Sequence, residues 1–117
     1  PYERVPEECA DLCDTVCGFI RQLGHIRDGI DEARFDEEVL KAASYTHCRL
    51  IEIHPFVNGN GRLARKCINY FAWRYGKTAL PFARPNDPEY FQANRTWLQQ
   101  KRIDHFMDFL RPRWQGD

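Results

Sequence analysis

Apolar residues recur every three or four positions along most of the chain, which is the spacing of one face of an α-helix. The pattern predicts helices at about 6–24, 36–53 and 62–76, followed by shorter helices around 91–98 and 103–110. No segment shows the strict apolar and polar alternation of a half-buried strand. The sequence therefore predicts an all-α fold.

Residues with known end preferences set the helix limits. Pro6 suits a first helical turn, an acidic run at 36–38 favours a helix start, and Pro55 ends the second helix. Further prolines keep residues 77–88 extended. The 62–76 helix is apolar around most of its circumference, so we expect it to be the central, buried helix.

The apolar stripe of the second predicted helix includes a histidine. The stripe consists of Leu40, Ala43, His47 and Leu50. We therefore place His47 on the inward face of this helix and assign it a structural role.

The length and the charge balance limit what the protein can be. At 117 residues it has room for one core, so we expect a single domain over 1–117, and its start at Pro1 suggests a fragment of a longer chain. Its 17 basic and 17 acidic residues cancel, which removes the electrostatic footprint of a nucleic-acid-binding protein. No apolar run is long enough to span a membrane, and no signal peptide is visible. We expect a cytoplasmic protein without a nucleic-acid or membrane partner, with a secreted effector as the alternative.

Cysteine spacing gives no sign of a disulfide scaffold. There are five cysteines, an odd number, and no CxxC pair. Cys9, Cys13 and Cys17 recur every four residues, so they share one side of the first helix, where they could hold a soft metal. We favour the simpler interpretation that they are small buried apolar side chains. A reducing compartment is then the expected location.

The segment HPFVNGNGRLAR, residues 54–65, carries the candidate chemistry. A glycine-rich loop that opens into a helix presents unpaired backbone N–H groups at the positive end of the helix dipole. Gly59 and Gly61 allow close approach of a phosphate, and Arg62 and Arg65 share one helix face three residues apart. The segment therefore predicts a site for a diphosphate or triphosphate.

His54 stands at the other end of this loop. A histidine with an ordinary pKa near 6.5 can accept a proton from a hydroxyl at neutral pH. A base beside a phosphate site suggests transfer of a phosphoryl-type group to a hydroxyl.

Taken together, His54, Pro55, Phe56, Gly59, Asn60, Gly61, Arg62 and Arg65 resemble the signature of the Fic family, HPFx(D/E)GN(G/K)RxxR. The flanking residues 42–56 and 63–76 resemble the helices that enter and leave the Fic loop. The resemblance implies an all-α Fic-like helical bundle with the signature loop between two central helices. It also implies a short β-hairpin flap, which is not evident in this chain. The flap would lie upstream of the chain or be reduced to the loop at 24–35.

The resemblance also implies an activity, the transfer of AMP from ATP to a Tyr, Thr or Ser hydroxyl of a protein target. His54 would be the general base, residues 59–61 would hold the nucleotide phosphates and Arg62 would neutralise the diphosphate. Arg65 would support Arg62, and Phe56 would anchor the loop. Some members of the family transfer UMP, phosphocholine or a phosphoryl group instead.

One signature position departs from the family. Asn58 replaces the Asp or Glu that binds the Mg²⁺ (or Mn²⁺) bridging the phosphates, and a neutral amide is a weaker ligand for a hard cation. Asn58 could still bind the metal through its amide oxygen. It could also indicate a different donor, a weakened enzyme, or a module that binds nucleotide without turnover.

Many Fic proteins are restrained by an (S/T)xxxE(G/N) helix whose Glu pairs with the second signature arginine. This sequence lacks that motif, since Thr96 is followed four residues later by Gln100. An upstream segment or an antitoxin-like inhibitory partner that pairs with Arg65 is therefore a hypothesis.

Overall fold

A computed structural model describes residues 2–54, 59–77 and 87–114. All of its regular elements are helices, and none of these residues lies in a strand. A single turn of 3₁₀ helix precedes five α-helices: α1 Val5–Ile26, α2 Glu32–Ile53, α3 Asn60–Arg74, α4 Pro88–Gln100 and α5 Ile103–Trp114. The predicted all-α class is confirmed.

The second helix begins earlier than its acidic run suggests. The Asp31 carboxylate caps α2 by accepting a hydrogen bond of 2.8 Å from the backbone N–H of Arg34. The helix therefore begins at Glu32, four residues before the predicted start at 36. Because α1 continues to Ile26, the connection between α1 and α2 consists only of residues 27–31. The alternative of a reduced hairpin at 24–35 is therefore wrong.

The central helix is α2, not α3 as expected. It contributes more buried residues than any other helix of the described chain and contacts α1, α3, α4 and α5. On α3, Ala64, Ile68 and Phe71 are buried, but the Trp73 side chain is 75% exposed. Apolar residues surround most of α3, but no described helix covers its outer face. The helix is therefore less buried than the sequence predicted.

Two apolar clusters hold the helices together. The larger joins α2 to α4 and α5 and includes Val39, Leu40 and Phe106, none of them more than 1% exposed. The smaller consists of Leu12, Leu50, Ile53 and Ala64. Burial of each valine, leucine, isoleucine or phenylalanine side chain contributes about 1.5–3 kcal/mol. The smaller cluster fixes the end of α2 against the start of α3, on either side of residues 54–59.

Helix α4 begins before residue 91 and buries one of its faces. Asp87 caps this helix by accepting a 2.9 Å hydrogen bond from the N–H of Glu89. Tyr90, Ala93 and Trp97 are buried, whereas Phe91 is 51% exposed. The predicted helix is confirmed, and Tyr90, Ala93 and Trp97 form its buried face.

The cysteines of α1 were also misplaced. Cys13 and Cys17 are exposed and Cys9 is half-buried, because they line an open apolar groove of about 420 Å³ between α1 and α3. Their interpretation as buried apolar side chains is wrong for Cys13 and Cys17. Within the described ranges, no group of three or more His, Cys, Asp or Glu residues could hold a metal ion.

Helix length and polarity also bear on the membrane expectation. In the part of the chain that the structure describes, none of the helices combines the length and the apolar content that crossing a bilayer would require.

Candidate functional site

His54 follows directly on the last residue of α2, with its side chain exposed. Its backbone N–H donates to the carbonyl oxygen of Leu50 at 3.0 Å, and its φ and ψ of 54° and 60° are left-handed. Helices often end on a residue in this conformation, which is uncommon for a residue with a side chain, and Lys101 adopts it after α4 as well. The helix therefore ends as Pro55 predicted, and it presents an imidazole to solvent at its end.

The start of α3 contains four of the candidate residues named from the sequence, Gly59 to Arg62. Gly59 has a left-handed φ of 85°, the conformation that glycine adopts without strain. It is the N-cap, and as a glycine it has no side chain with which to cap the helix. The N-terminal N–H groups of a helix carry a partial positive charge that favours an anion. The Asn60 side chain is buried beside them and Gly61 lies in the first turn.

The two signature arginines differ in their surroundings. Arg62 is exposed, and it makes no ion pair within the described ranges. Arg65 is half-buried and folds back along α3, so that its Nη1 would lie 3.0 Å from a Cβ at Gly61. It too has no carboxylate within ion-pair distance among the residues described. Glycine at position 61 thus leaves room for the Arg65 guanidinium above the first turn of the helix.

The neutral partner of Arg65 is Tyr90 of α4. Arg65 Nη1 lies 3.5 Å from the phenol oxygen, and the guanidinium carbon lies 5.6 Å from the ring centroid. The same oxygen lies 2.6 Å from Nε2 of His47. Tyr90 therefore connects the interior of α2 to the signature arginine of α3.

His47 lies on the inward face of α2, as its stripe predicted, and is 0% exposed. Its ring stacks on Phe106 with centroids 4.4 Å apart. Burial, with a further contribution from the positive charge of Arg65, lowers the pKa of His47 to about 3. The imidazole is therefore neutral at physiological pH.

Two predicted site residues, Phe56 and Asn58, lie outside the described residues. Their assigned roles as loop anchor and metal ligand stay predictions. Of the remaining candidates, the structure places His54 at one end of the loop and residues 59–62 with Arg65 at the other.

Sequence reasoning missed Tyr90. Its partners are 43 and 25 residues away along the chain, so no local motif connects them. The available signal was the helical spacing of Tyr90, Ala93 and Trp97 along α4.

Comparison with known proteins places this site in a family. The sequence profile of the Fic/DOC family matches residues 2–72. A protein adenylyltransferase fic-1 from Caenorhabditis elegans is 36% identical over 75 residues, which cover 63% of this chain and 15% of that protein. A protein adenylyltransferase Fic from Drosophila persimilis is 35% identical over 49 residues, covering 42% of this chain and 10% of the relative.

A third relative carries a different name. A uridine 5'-monophosphate transferase from Xanthomonas campestris is 30% identical over 79 residues, covering 65% of this chain and 13% of that protein. The matches thus span no more than 15% of the length of these relatives. No solved structure matches the chain. Because the family profile covers more than half of the sequence, this chain belongs to the Fic/DOC family.

Proposed function

We propose that this chain transfers AMP from ATP to a Tyr, Thr or Ser hydroxyl of a protein target. One observation carries the proposal: α2 ends at a solvent-exposed imidazole, and α3 begins with a glycine N-cap and two arginines in its first two turns. Membership of the Fic/DOC family and relatives named protein adenylyltransferase support the same reaction.

In this proposal the start of α3 binds the phosphates of ATP. The backbone N–H groups of residues 59–61 face the anion, and the helix dipole adds a favourable partial charge. Arg62, exposed in the first turn, contacts the diphosphate that leaves. Arg65 supports it from its position above Gly61.

The reaction would proceed by attack on the α-phosphorus. The oxygen of the target hydroxyl forms a bond to this phosphorus, and the bond between the α-phosphorus and the bridging oxygen breaks. The electron pair of that bond leaves with diphosphate, and the hydroxyl proton moves to the imidazole of His54. A general base in this position typically contributes 10²–10⁴-fold to the rate.

A divalent cation, Mg²⁺ or Mn²⁺, would neutralise phosphate charge when bound. Near the loop, the described residues provide no cluster of metal-binding side chains. The cation would therefore depend on the phosphates themselves and on the amide oxygen of Asn58, which is a neutral ligand.

Mass spectrometry of the intact chain tests the proposal. The chain is incubated with ATP and Mg²⁺ or Mn²⁺, alone and with candidate target proteins, beside the His54→Ala variant. Addition of AMP by the wild type and not by the variant is the expected result. ATP binding without any AMP addition would overturn the transfer reaction in favour of a binding module.

Transfer of UMP is the second candidate, favoured by the relative named uridine 5'-monophosphate transferase. The same experiment with UTP distinguishes the two, because the added mass identifies the nucleotide. Addition from UTP in preference to ATP would establish the second candidate.

We also propose that an inhibitory partner supplies a carboxylate to Arg65. Arg65 has no such partner among the described residues, and a guanidinium pairs strongly with a carboxylate. Co-purification of a small acidic protein that lowers transfer, and that no longer binds the Arg65→Ala variant, would support this proposal. Transfer that no co-purifying protein affects would contradict it.

A further inference from the structure

We propose that Tyr90 is a positioning residue, which links buried His47 to Arg65 and holds the Arg65 guanidinium above the first turn of α3. This inference rests on the proposed function, since it explains how one phosphate-binding group of that site is kept in place. It assigns a role to a residue of α4, outside the signature segment.

Hydrogen-bond direction supports this arrangement. A guanidinium has only N–H donors, so the Tyr90 oxygen accepts from Arg65. The phenol O–H can then be donated to Nε2 of neutral His47, and the 2.6 Å separation of these two atoms fits a strong hydrogen bond. A hydroxyl that donates is polarised into a better acceptor, so the contact with His47 strengthens the contact with Arg65.

The position of His47 has a cost that a purely structural residue would avoid. Its Nδ1 is buried and has no hydrogen-bond partner in the part of the chain that the structure describes. A leucine or phenylalanine in the same stripe would leave no polar atom unsatisfied. A buried polar atom of this kind calls for a compensating contact elsewhere on the ring, and the hydrogen bond between Nε2 and Tyr90 is that contact.

A neutral hydrogen-bond partner such as the Tyr90 phenol leaves the charge of Arg65 available for a phosphate. A carboxylate in the place of the phenol would compete with the phosphate for the guanidinium and cancel its charge. Burial raises the pKa of Tyr90 although hydrogen bonds from Arg65 and Asn94 oppose it, so the phenol stays neutral. Tyr90 therefore orients Arg65 while the guanidinium keeps its full positive charge.

Orientation matters because Arg65 is a long, flexible side chain. A freely rotating arginine loses rotamer entropy when it is immobilised on a phosphate. If Tyr90 has already restricted it, less of this loss falls on the binding step, and nucleotide affinity rises. Arg62, exposed beside it, has no comparable contact with a ring among the described residues.

The chain contains a matched control for this role. The Tyr70 hydroxyl accepts a hydrogen bond of 3.1 Å from Nη1 of Arg74 on the exposed side of α3. Tyr70→Phe and Tyr90→Phe therefore each remove one hydroxyl bonded to an arginine. Of these two tyrosines, only Tyr90 lies beside the proposed site.

The first test needs no nucleotide. In the full chain, ¹⁵N relaxation of the Arg65 Nε–H group reports the order of this side chain. We expect Tyr90→Phe to lower that order clearly and Tyr70→Phe to leave it unchanged. Equal order of Arg65 in the wild type and Tyr90→Phe would overturn the positioning role.

The second test shows whether Tyr90 affects binding of the ATP phosphates or binding of the adenosine part. By calorimetry, we expect Tyr90→Phe to weaken ATP binding about three- to tenfold while adenosine binding, measured in parallel, stays unchanged. An unchanged ATP affinity, or an equal loss for both ligands, would overturn the role. If the wild type binds no ATP, the proposed function fails, and the Arg65 relaxation still decides the positioning role.

Discussion

The interior of α2 and its C-terminal end each present a histidine, and their surroundings are opposite. His47 is fully buried, stacked on Phe106 and neutral. His54, seven residues later, is exposed directly after the last residue of α2. The buried histidine cannot exchange a proton with a substrate, but it can orient another group. The exposed histidine is open to solvent, and under the proposed function it accepts the proton of a substrate hydroxyl. Residue type alone therefore does not assign a role to a histidine, because burial decides which chemistry remains.

The largest expected effect comes from removing the exposed histidine. His54→Ala should lower nucleotidyl transfer by about 10²–10⁴-fold, because only the proton-accepting group is lost. Its urea unfolding midpoint should stay close to that of the wild type, since the side chain is exposed. Transfer is measured from incorporation of labelled AMP. A variant that unfolds, or that transfers at the wild-type rate, would remove the contrast between the two histidines.

The same substitution at the buried histidine should act on stability. His47→Ala leaves a cavity beside Phe106 and removes the hydrogen-bond partner of Tyr90, which together should cost about 2–4 kcal/mol. Urea unfolding at neutral pH measures this loss. His25→Ala, on an exposed position of α1, serves as the control and should change little. A stability loss no larger than that of the control would contradict the structural role of His47.

Lowering the pH should destabilise the fold through the buried histidine, His47. The folded-state pKa of His47 is about 3 and its ordinary value is 6.5, so between these values the unfolded chain binds the extra proton. Its contribution to stability is therefore complete above about pH 6.5 and is lost as the pH falls towards 3. At pH 4.5 this one group should cost roughly 2–3 kcal/mol relative to pH 7.

Comparing the wild type with His47→Gln isolates this effect, because glutamine does not titrate. The variant should lose less stability than the wild type between pH 7 and pH 4.5 in urea unfolding. Carboxylates in ion pairs contribute equally to both chains. Parallel stability curves for the two would show that the imidazole does not account for the acid sensitivity.

The smallest effect concerns the backbone at the exposed histidine. His54 has a left-handed φ of 54°, which glycine adopts without strain. His54→Gly should therefore raise the free energy of unfolding by about 0.5–1 kcal/mol, while it lowers transfer to the same extent as His54→Ala. Urea unfolding and AMP incorporation measured on one preparation test both effects. A destabilised variant would show that the His54 conformation has no net cost.

Much of the fold could be predicted because helix ends are local features. Pro6, Pro55 and the glycine at 59 each act within a few residues, and the helices begin and end close to them. The early start of α2 was also local, since Asp31 is a favoured N-cap residue, but the acidic run at 36–38 was preferred.

The buried faces of the helices were harder to predict. Cys13 and Cys17 share the side of α1 that carries apolar residues, yet they lie on an open groove. Similarly, Phe91 is exposed while the adjacent Tyr90 is buried. Apolar spacing indicates that a helix has an inner face, but the neighbouring helices decide how far around it burial extends.

The sequence by itself determined the helices, the family and the order of a histidine, a glycine-rich turn and two arginines along the chain. These depend on residue type and short spacing. Only the tertiary structure decided which residues support that segment. Packing of α4 against α2 places Tyr90 within hydrogen-bond distance of His47 and Arg65, which are 43 and 25 residues away. No local rule encodes such contacts, because they arise when one core buries three helices together.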